Sequence, residues 1–128
     1  MSTILVAADG KWVRDLVRTA FVAPGQAVIE VTRGQDVRDA VRDHHPDLVI
    51  LDLQIANMGG FAVAIDLHLE EFDGRVPAVP ILLLLDREAD RFLAKRAAVQ
   101  GELVKPIDVA TLRRTANAIL AAAAVSPV

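Results

Sequence analysis

Short aliphatic runs alternate with longer amphipathic segments along the whole chain, and this alternation limits the possible folds most strongly. Four of the five runs contain no polar residue, as expected for strands buried on both faces of a sheet. The segments between the runs carry apolar residues three and four positions apart, which is the spacing of an amphipathic helix. The runs cover residues 4–7, 27–31, 48–51, 81–85 and 103–104.

Five strand–helix units in series predict an α/β fold: a single-domain, flavodoxin-like (βα)5 three-layer sandwich with a parallel sheet in the order 2-1-3-4-5. At 128 residues, the chain has the size of one domain. We expect residues 1–124 to form that domain and residues 125–128 to form a frayed tail. Asp86 is expected to cap a fourth helix that reaches about Val99, and Asp108 is expected to cap the last helix.

Composition excludes several classes of protein. Hydrophobic residues make up 53% of the chain, which argues against disorder. The absence of cysteine removes disulfide scaffolds, thiol catalysis and cysteine-based zinc sites. A net charge of −3 gives no general basic surface, so we expect no binding to nucleic acid by the chain alone. Without a signal-peptide pattern or a membrane-length apolar segment, a cytoplasmic protein with no membrane contact is expected.

Four charged residues follow predicted strands at their carboxyl ends. Asp9 follows the first strand, Asp52 ends the third, Asp86 follows the fourth and Lys105 follows the fifth. In a sheet of this kind these strand ends form one edge, where ligands bind near the topological switch point. Several carboxylates in one place are unfavourable unless a hard cation or a basic group neutralises them. The residues therefore predict a metal or oxyanion site.

Three of these segments resemble the receiver domain of bacterial response regulators. Residues 46–52, Pro-Asp-Leu-Val-Ile-Leu-Asp, are similar to the family's third strand with its terminal phospho-accepting aspartate. Lys105 and Pro106 are similar to the family's lysine–proline pair, and residues 4–9 to its first strand and acidic corner. The resemblance extends from about residue 4 to residue 120 and implies a stand-alone signalling domain that is not an enzyme in the usual sense.

The resemblance also implies a chemistry and a set of partners. Asp52 would accept a phosphoryl group from a histidine kinase, a phosphotransfer protein or a small phosphodonor. Mg²⁺ would be held by Asp9, Asp52 and the backbone carbonyl of Gln54, and Lys105 would pair with the carboxylate or the phosphoryl group. The peptide bond between Lys105 and Pro106 would be cis. An unknown target protein would bind the surface formed by the fourth helix, the fifth strand and the fifth helix.

Several positions depart from the family's pattern. The second acid of the corner is replaced by Ala8, so weak magnesium binding is expected. The hydroxyl residue that ends the fourth strand is replaced by Leu85, the small residue after it by Asp86, and the aromatic residue of the fifth strand by Glu102. The usual Met-Pro pair after the acceptor is Ile55-Ala56. These changes predict a degenerate switch.

Two hypotheses about function therefore remain open. The first is a receiver that is phosphorylated on Asp52, and the second is a pseudo-receiver that binds proteins independently of phosphorylation. A flavin carrier is disfavoured because the loop after the first strand lacks hydroxyl residues, and an aspartyl phosphatase because Gln54 stands where an acid would be needed. Trp12, which follows Asp9 closely, is expected to pack at the rim of the site.

Overall fold

In the computed structural model, which describes residues 2–125, five parallel strands form one sheet in the order β2-β1-β3-β4-β5. This confirms the predicted flavodoxin-like order, and it places β3 at the centre of the sheet. Short 3-10 turns precede α2 and α4. The elements are β1 (Ser2–Ala7), α1 (Lys11–Ala20), β2 (Gln26–Val31), α2 (Val37–His44), β3 (Leu48–Asp52), α3 (Gly60–Phe72), β4 (Ile81–Leu85), α4 (Arg91–Arg96), β5 (Gly101–Val104) and α5 (Val109–Ala124).

The aliphatic strands fill two cores, one on each face of the sheet. Alternate residues of a strand point to opposite faces, so that Leu83 of β4 joins one core while its neighbours Leu82 and Leu84 join the other. Helices α2, α3 and α4 cover the first face, and α1 and α5 cover the second. Every residue of β3 and β4 is buried, which explains why those strands have no polar–apolar alternation.

Several element boundaries differ from the sequence-based expectation, most of all those of the fifth strand and the fourth helix. The fifth strand starts at Gly101, two residues earlier than predicted, because Leu82 and Leu83 of β4 pair with Gly101 and Glu102. The predicted fourth helix from Asp86 to Val99 is wrong at both ends. The backbone N–H of Arg87 donates to Asp90 in a 3-10 turn, and α4 spans only Arg91–Arg96.

The start of the last helix agrees with the prediction. Asp108 caps α5, because its Oδ1 accepts a hydrogen bond of 2.6 Å from the Thr111 backbone N–H. Helix α5 ends at Ala124, and Val125 follows as an exposed turn residue. The predicted frayed tail otherwise lies outside the described residues.

Candidate functional site

The site forms around Asp52, the last residue of β3. Its side chain is almost completely buried, because β3 lies at the centre of the sheet. One carboxylate oxygen, Oδ1, accepts hydrogen bonds from the Gln54 backbone N–H at 3.1 Å and from Lys105 Nζ at 2.6 Å. Helix α3 starts close by, and a Cβ atom on Gly60 would lie 2.5 Å from the Asp52 carbonyl oxygen. Glycine at that position therefore lets α3 approach the end of β3.

Lys105 supplies the ammonium group of the site. It follows β5 directly, and its backbone N–H donates to the Leu85 carbonyl at 2.8 Å, which fixes the loop to the end of β4. The Lys105–Pro106 peptide bond is cis, as the resemblance implies. Burial lowers the pKa of the Lys105 ammonium. Hydrogen bonds to Asp52 and Asp86, together with the negative charges of these two groups, outweigh burial and raise the pKa of Lys105 above its ordinary value. The group is therefore charged at neutral pH.

Asp86 has a different role from the predicted helix cap. Its Oδ1 accepts a hydrogen bond of 2.9 Å from Lys105 Nζ, so two carboxylates share one ammonium. Its Oδ2 is buried and has no hydrogen-bond partner among residues 2–125. Burial is the strongest single influence and raises the pKa of the Asp86 carboxyl, but hydrogen bonds from Lys105 and the Gln54 side chain, together with the positive charges of Lys105 and Arg87, lower that pKa below its ordinary value. Asp86 is thus held as an anion by Lys105.

Asp9 follows β1 and its side chain is exposed. Arg14 fixes the backbone here, since its Nη1 donates to the carbonyl oxygens of Ala8 at 2.9 Å and Asp9 at 2.7 Å. Within residues 2–125 the Asp9 carboxylate has no hydrogen bond or ion pair and so has free lone pairs. Ala8 is fully buried next to it. The corner therefore presents one carboxylate to solvent.

The ligands expected for Mg²⁺ at this site are all oxygens, the atoms that Mg²⁺ prefers. The expected set contains two carboxylates, from Asp9 and Asp52, and the backbone carbonyl of Gln54. In the described part of the chain, no three His, Cys, Asp or Glu side chains are placed to hold a metal ion together. A cation at this set would keep several of its waters, and that fits weak binding of Mg²⁺.

The Trp12 ring lies against Lys105, a contact that the sequence reasoning missed. The Lys105 Nζ is 5.5 Å from the centroid of the Trp12 ring, within the range of a cation–π contact. Trp12 is 55% exposed, whereas only 14% of the Lys105 side chain is exposed. No sequence signal marked this contact, because Trp12 and Lys105 are far apart in the chain. The predicted position at the rim is confirmed, but the ring also contacts a charged group of the site.

The positions that differ from the family pattern have ordinary structural roles here. Leu85 is fully buried at the end of β4. Glu102 is partly buried on β5, and its Oε1 accepts a hydrogen bond of 3.1 Å from Arg91 Nη1 of α4. Leu85 has no hydroxyl group to donate a hydrogen bond, and the Glu102 carboxylate is hydrogen-bonded to Arg91 of α4.

The sequence matches the family model described as the response regulator receiver domain over residues 4–117. It is 28% identical over 123 residues to Protein PilH of Pseudomonas aeruginosa, covering 94% of this chain and 99% of that protein. It is 24% identical over 118 residues to the polar-differentiation response regulator DivK of Brucella ovis, covering 92% of this chain and 95% of that protein.

The fold also matches that of a solved receiver domain. The receiver domain of the sensor histidine kinase PA1611 from Pseudomonas aeruginosa superposes with a TM-score of 0.75 at 21% identity, covering 94% of this chain and 98% of that one. That structure has a magnesium ion coordinated in its active-site cleft. In the present chain, no helix among the described residues is long and apolar enough to cross a membrane.

Proposed function

Because the chain belongs to the response regulator receiver domain family, we propose that it accepts a phosphoryl group on Asp52 in two-component signalling. Receiver domains are signalling modules and not classical enzymes, in agreement with the expectation from sequence. The observation that supports the proposal most is the hydrogen bond of 2.6 Å between Lys105 Nζ and Asp52 Oδ1 at the carboxyl end of the central strand. The ammonium neutralises the acceptor carboxylate, and phosphoryl transfer depends mainly on positioning and neutralisation of charge.

In this proposal Mg²⁺ is bound weakly by Asp9, Asp52 and the Gln54 carbonyl. When bound, the cation would neutralise phosphoryl oxygens during transfer. Asp9 supports this assignment because its carboxylate is exposed and unpaired among the described residues. The phosphoryl donor would be a histidine kinase or a phosphotransfer protein.

The proposed covalent step is tested by intact-mass measurement after incubation with acetyl phosphate and Mg²⁺. We expect the wild-type chain to gain one phosphoryl group and Asp52→Asn to gain none, because the amide is not a nucleophile for this transfer. Uptake should also be lost when a chelator removes the metal. A wild-type chain that stays unmodified over hours would favour the pseudo-receiver hypothesis instead.

We also propose that a partner binds the α4–β5–α5 face. An open groove of about 810 Å³ lies between the end of α3, the start of β5 and α5, and is lined by His68, Gly101, Thr115 and Ile119, among others. On α4, Lys95 and Arg96 are exposed and have no ion pair among residues 2–125. The exposed, unpaired cations of α4 support binding of a target protein with acidic residues, and the groove offers it a separate concave surface.

Phosphorylation is expected to change the shape of this face little. A ligand moves a two-state equilibrium only by its differential affinity for the two states, and a hydrogen bond from a hydroxyl group to the phosphoryl oxygen would contribute about 1.5–3 kcal/mol of that difference. Leu85 cannot donate this bond, and Glu102 is held by Arg91 on the surface. Amide chemical shifts with and without beryllofluoride, a phosphoryl mimic, should therefore change mainly in the loops around Asp52. Large changes through α4 and β5 would contradict a degenerate switch.

The pseudo-receiver remains the second candidate. It is favoured by the buried Ala8 in place of the second corner acid and by the absence of a hydroxyl group at Leu85. In that case the fixed α4–β5–α5 face would act whether or not Asp52 carries a phosphoryl group.

A further inference from the structure

The Lys105 ammonium is surrounded by three groups of this chain. Its Nζ donates to Asp52 Oδ1 at 2.6 Å and to Asp86 Oδ1 at 2.9 Å, and it lies 5.5 Å from the centroid of the Trp12 ring. An ammonium has three N–H donors. Two of them are used by carboxylates, and the indole covers part of the remaining space. An incoming phosphoryl group therefore has one N–H donor of Lys105 left to bind, and it competes with Asp52 and Asp86 for the other two.

Asp86 is the contact that opposes a phosphoryl group most directly. It is the only one of the three that is both negatively charged and not itself the proposed acceptor. A phosphoryl group brings further negative charge to a site that already holds Asp9, Asp52 and Asp86 against one ammonium. Like charges at such short range disfavour one another, and more strongly where water is excluded.

The second oxygen of Asp86 increases this competition. Asp86 Oδ2 is buried without a hydrogen-bond partner among the described residues, and Lys105 is the main group that stabilises the charge of this carboxylate, ahead of the Gln54 side chain. If Lys105 turned to a phosphoryl oxygen, Asp86 would lose its hydrogen bond and keep an unsatisfied buried oxygen, which is energetically costly. Breaking the hydrogen bond between Lys105 and Asp86 is therefore unfavourable, and this opposes the movement of Lys105 to a phosphoryl group.

From this geometry we propose that Asp86 competes with the phosphoryl group for Lys105 and thereby limits how readily Asp52 is phosphorylated. This inference rests on the proposed function and adds a positioning residue to it. Asp86 acts through Lys105 and need not touch the reacting atoms. A small residue at this position would make no hydrogen bond with Lys105, whereas Asp86 in this chain accepts one from the Lys105 ammonium.

Removing the carboxylate is expected to speed phosphorylation. Asp86→Ala should gain a phosphoryl group from acetyl phosphate and Mg²⁺ about tenfold to a hundredfold faster than wild type, since a hydrogen bond between charged groups must no longer be broken. Asp86→Asn, which keeps an oxygen but not the charge, should lie between the two. Asp86→Glu, which keeps the charge, should remain near the wild-type rate. Intact mass against time gives all four rates.

A matched control removes one negative charge elsewhere. Asp43 is exposed near the end of α2, which leads to the first residue of β3 and therefore lies at the opposite end of that strand from Asp52. Asp43→Asn should phosphorylate at the wild-type rate. An equal acceleration in Asp43→Asn would mean that net charge alone sets the rate, and it would overturn a specific role for Asp86.

A second measurement separates this inference from the proposed function. Trp12 is the only tryptophan and lies over Lys105, so its fluorescence should report beryllofluoride binding in the presence of Mg²⁺. Asp86→Ala and Asp86→Asn should bind beryllofluoride about tenfold or more tightly than wild type. If the Asp86 variants bind beryllofluoride more tightly but neither they nor the wild type gain a phosphoryl group, competition by Asp86 is supported and the proposed function is contradicted. If all chains are phosphorylated but Asp86→Ala and Asp86→Asn show the wild-type rate and the wild-type affinity for beryllofluoride, the inference about Asp86 is overturned and the proposed function is kept.

Discussion

Replacing Lys105 by methionine is expected to lower the free energy of unfolding by about 3 kcal/mol, because it leaves the buried Asp52 carboxylate without its partner. Only 5% of the Asp52 side chain is exposed, and Lys105 Nζ lies 2.6 Å from its Oδ1. Methionine keeps the unbranched stem of lysine, so packing changes little while the charge is lost. Urea unfolding followed by circular dichroism measures the difference.

The control for this variant is a lysine that pairs with nothing in the described part of the chain. Lys95 is exposed on α4, and Lys95→Met should change the unfolding free energy by no more than about 0.5 kcal/mol. The double variant Asp52→Asn with Lys105→Met should recover part of the loss, since the buried Asp52 charge is then absent while Asp86 still lacks its hydrogen bond from Lys105. A loss of the same size in the Asp52→Asn background would show that Lys105 stabilises the fold through Asp86 or by packing, and not through Asp52.

Leu83→Ala is expected to lower the free energy of unfolding by about 3–5 kcal/mol, through lost burial and the cavity left behind. Leu83 is fully buried on β4 within the core that α2, α3 and α4 cover. A domain of this size has a total stability of about 5–15 kcal/mol, so the loss would be a large fraction of it. Thermal and urea unfolding should agree on the effect.

Leu69→Ala is the matched control for that substitution. Leu69 lies on α3 but is 61% exposed, and its truncation should cost no more than about 0.5 kcal/mol. Equal losses at the two leucines would mean that the outer face of α3 is covered in solution. Such a result would call for measurement of the oligomeric state.

The sequence by itself determined the architecture, because that information is local and repeated. A short aliphatic run such as residues 48–51 favours a strand that is buried on both faces of a parallel sheet. Five consecutive strand–helix units are compatible with only a few sheet topologies. The positions of Asp52 and Lys105 at strand ends followed from the same periodicity. The pairing of these two residues was inferred from the resemblance, and the structure brings them together at 2.6 Å.

Only the tertiary structure decided what Asp86 and Trp12 do. Locally, an aspartate after a strand favours a helix cap, but the neighbouring Asp90 accepts the Arg87 backbone N–H, and Asp86 turns to Lys105. The ring of Trp12 reaches Lys105 from α1. Both contacts join residues distant in sequence, and no periodic pattern encodes them. Propensity acts over a few residues, whereas the electrostatics of a site depend on which strand ends the sheet places side by side.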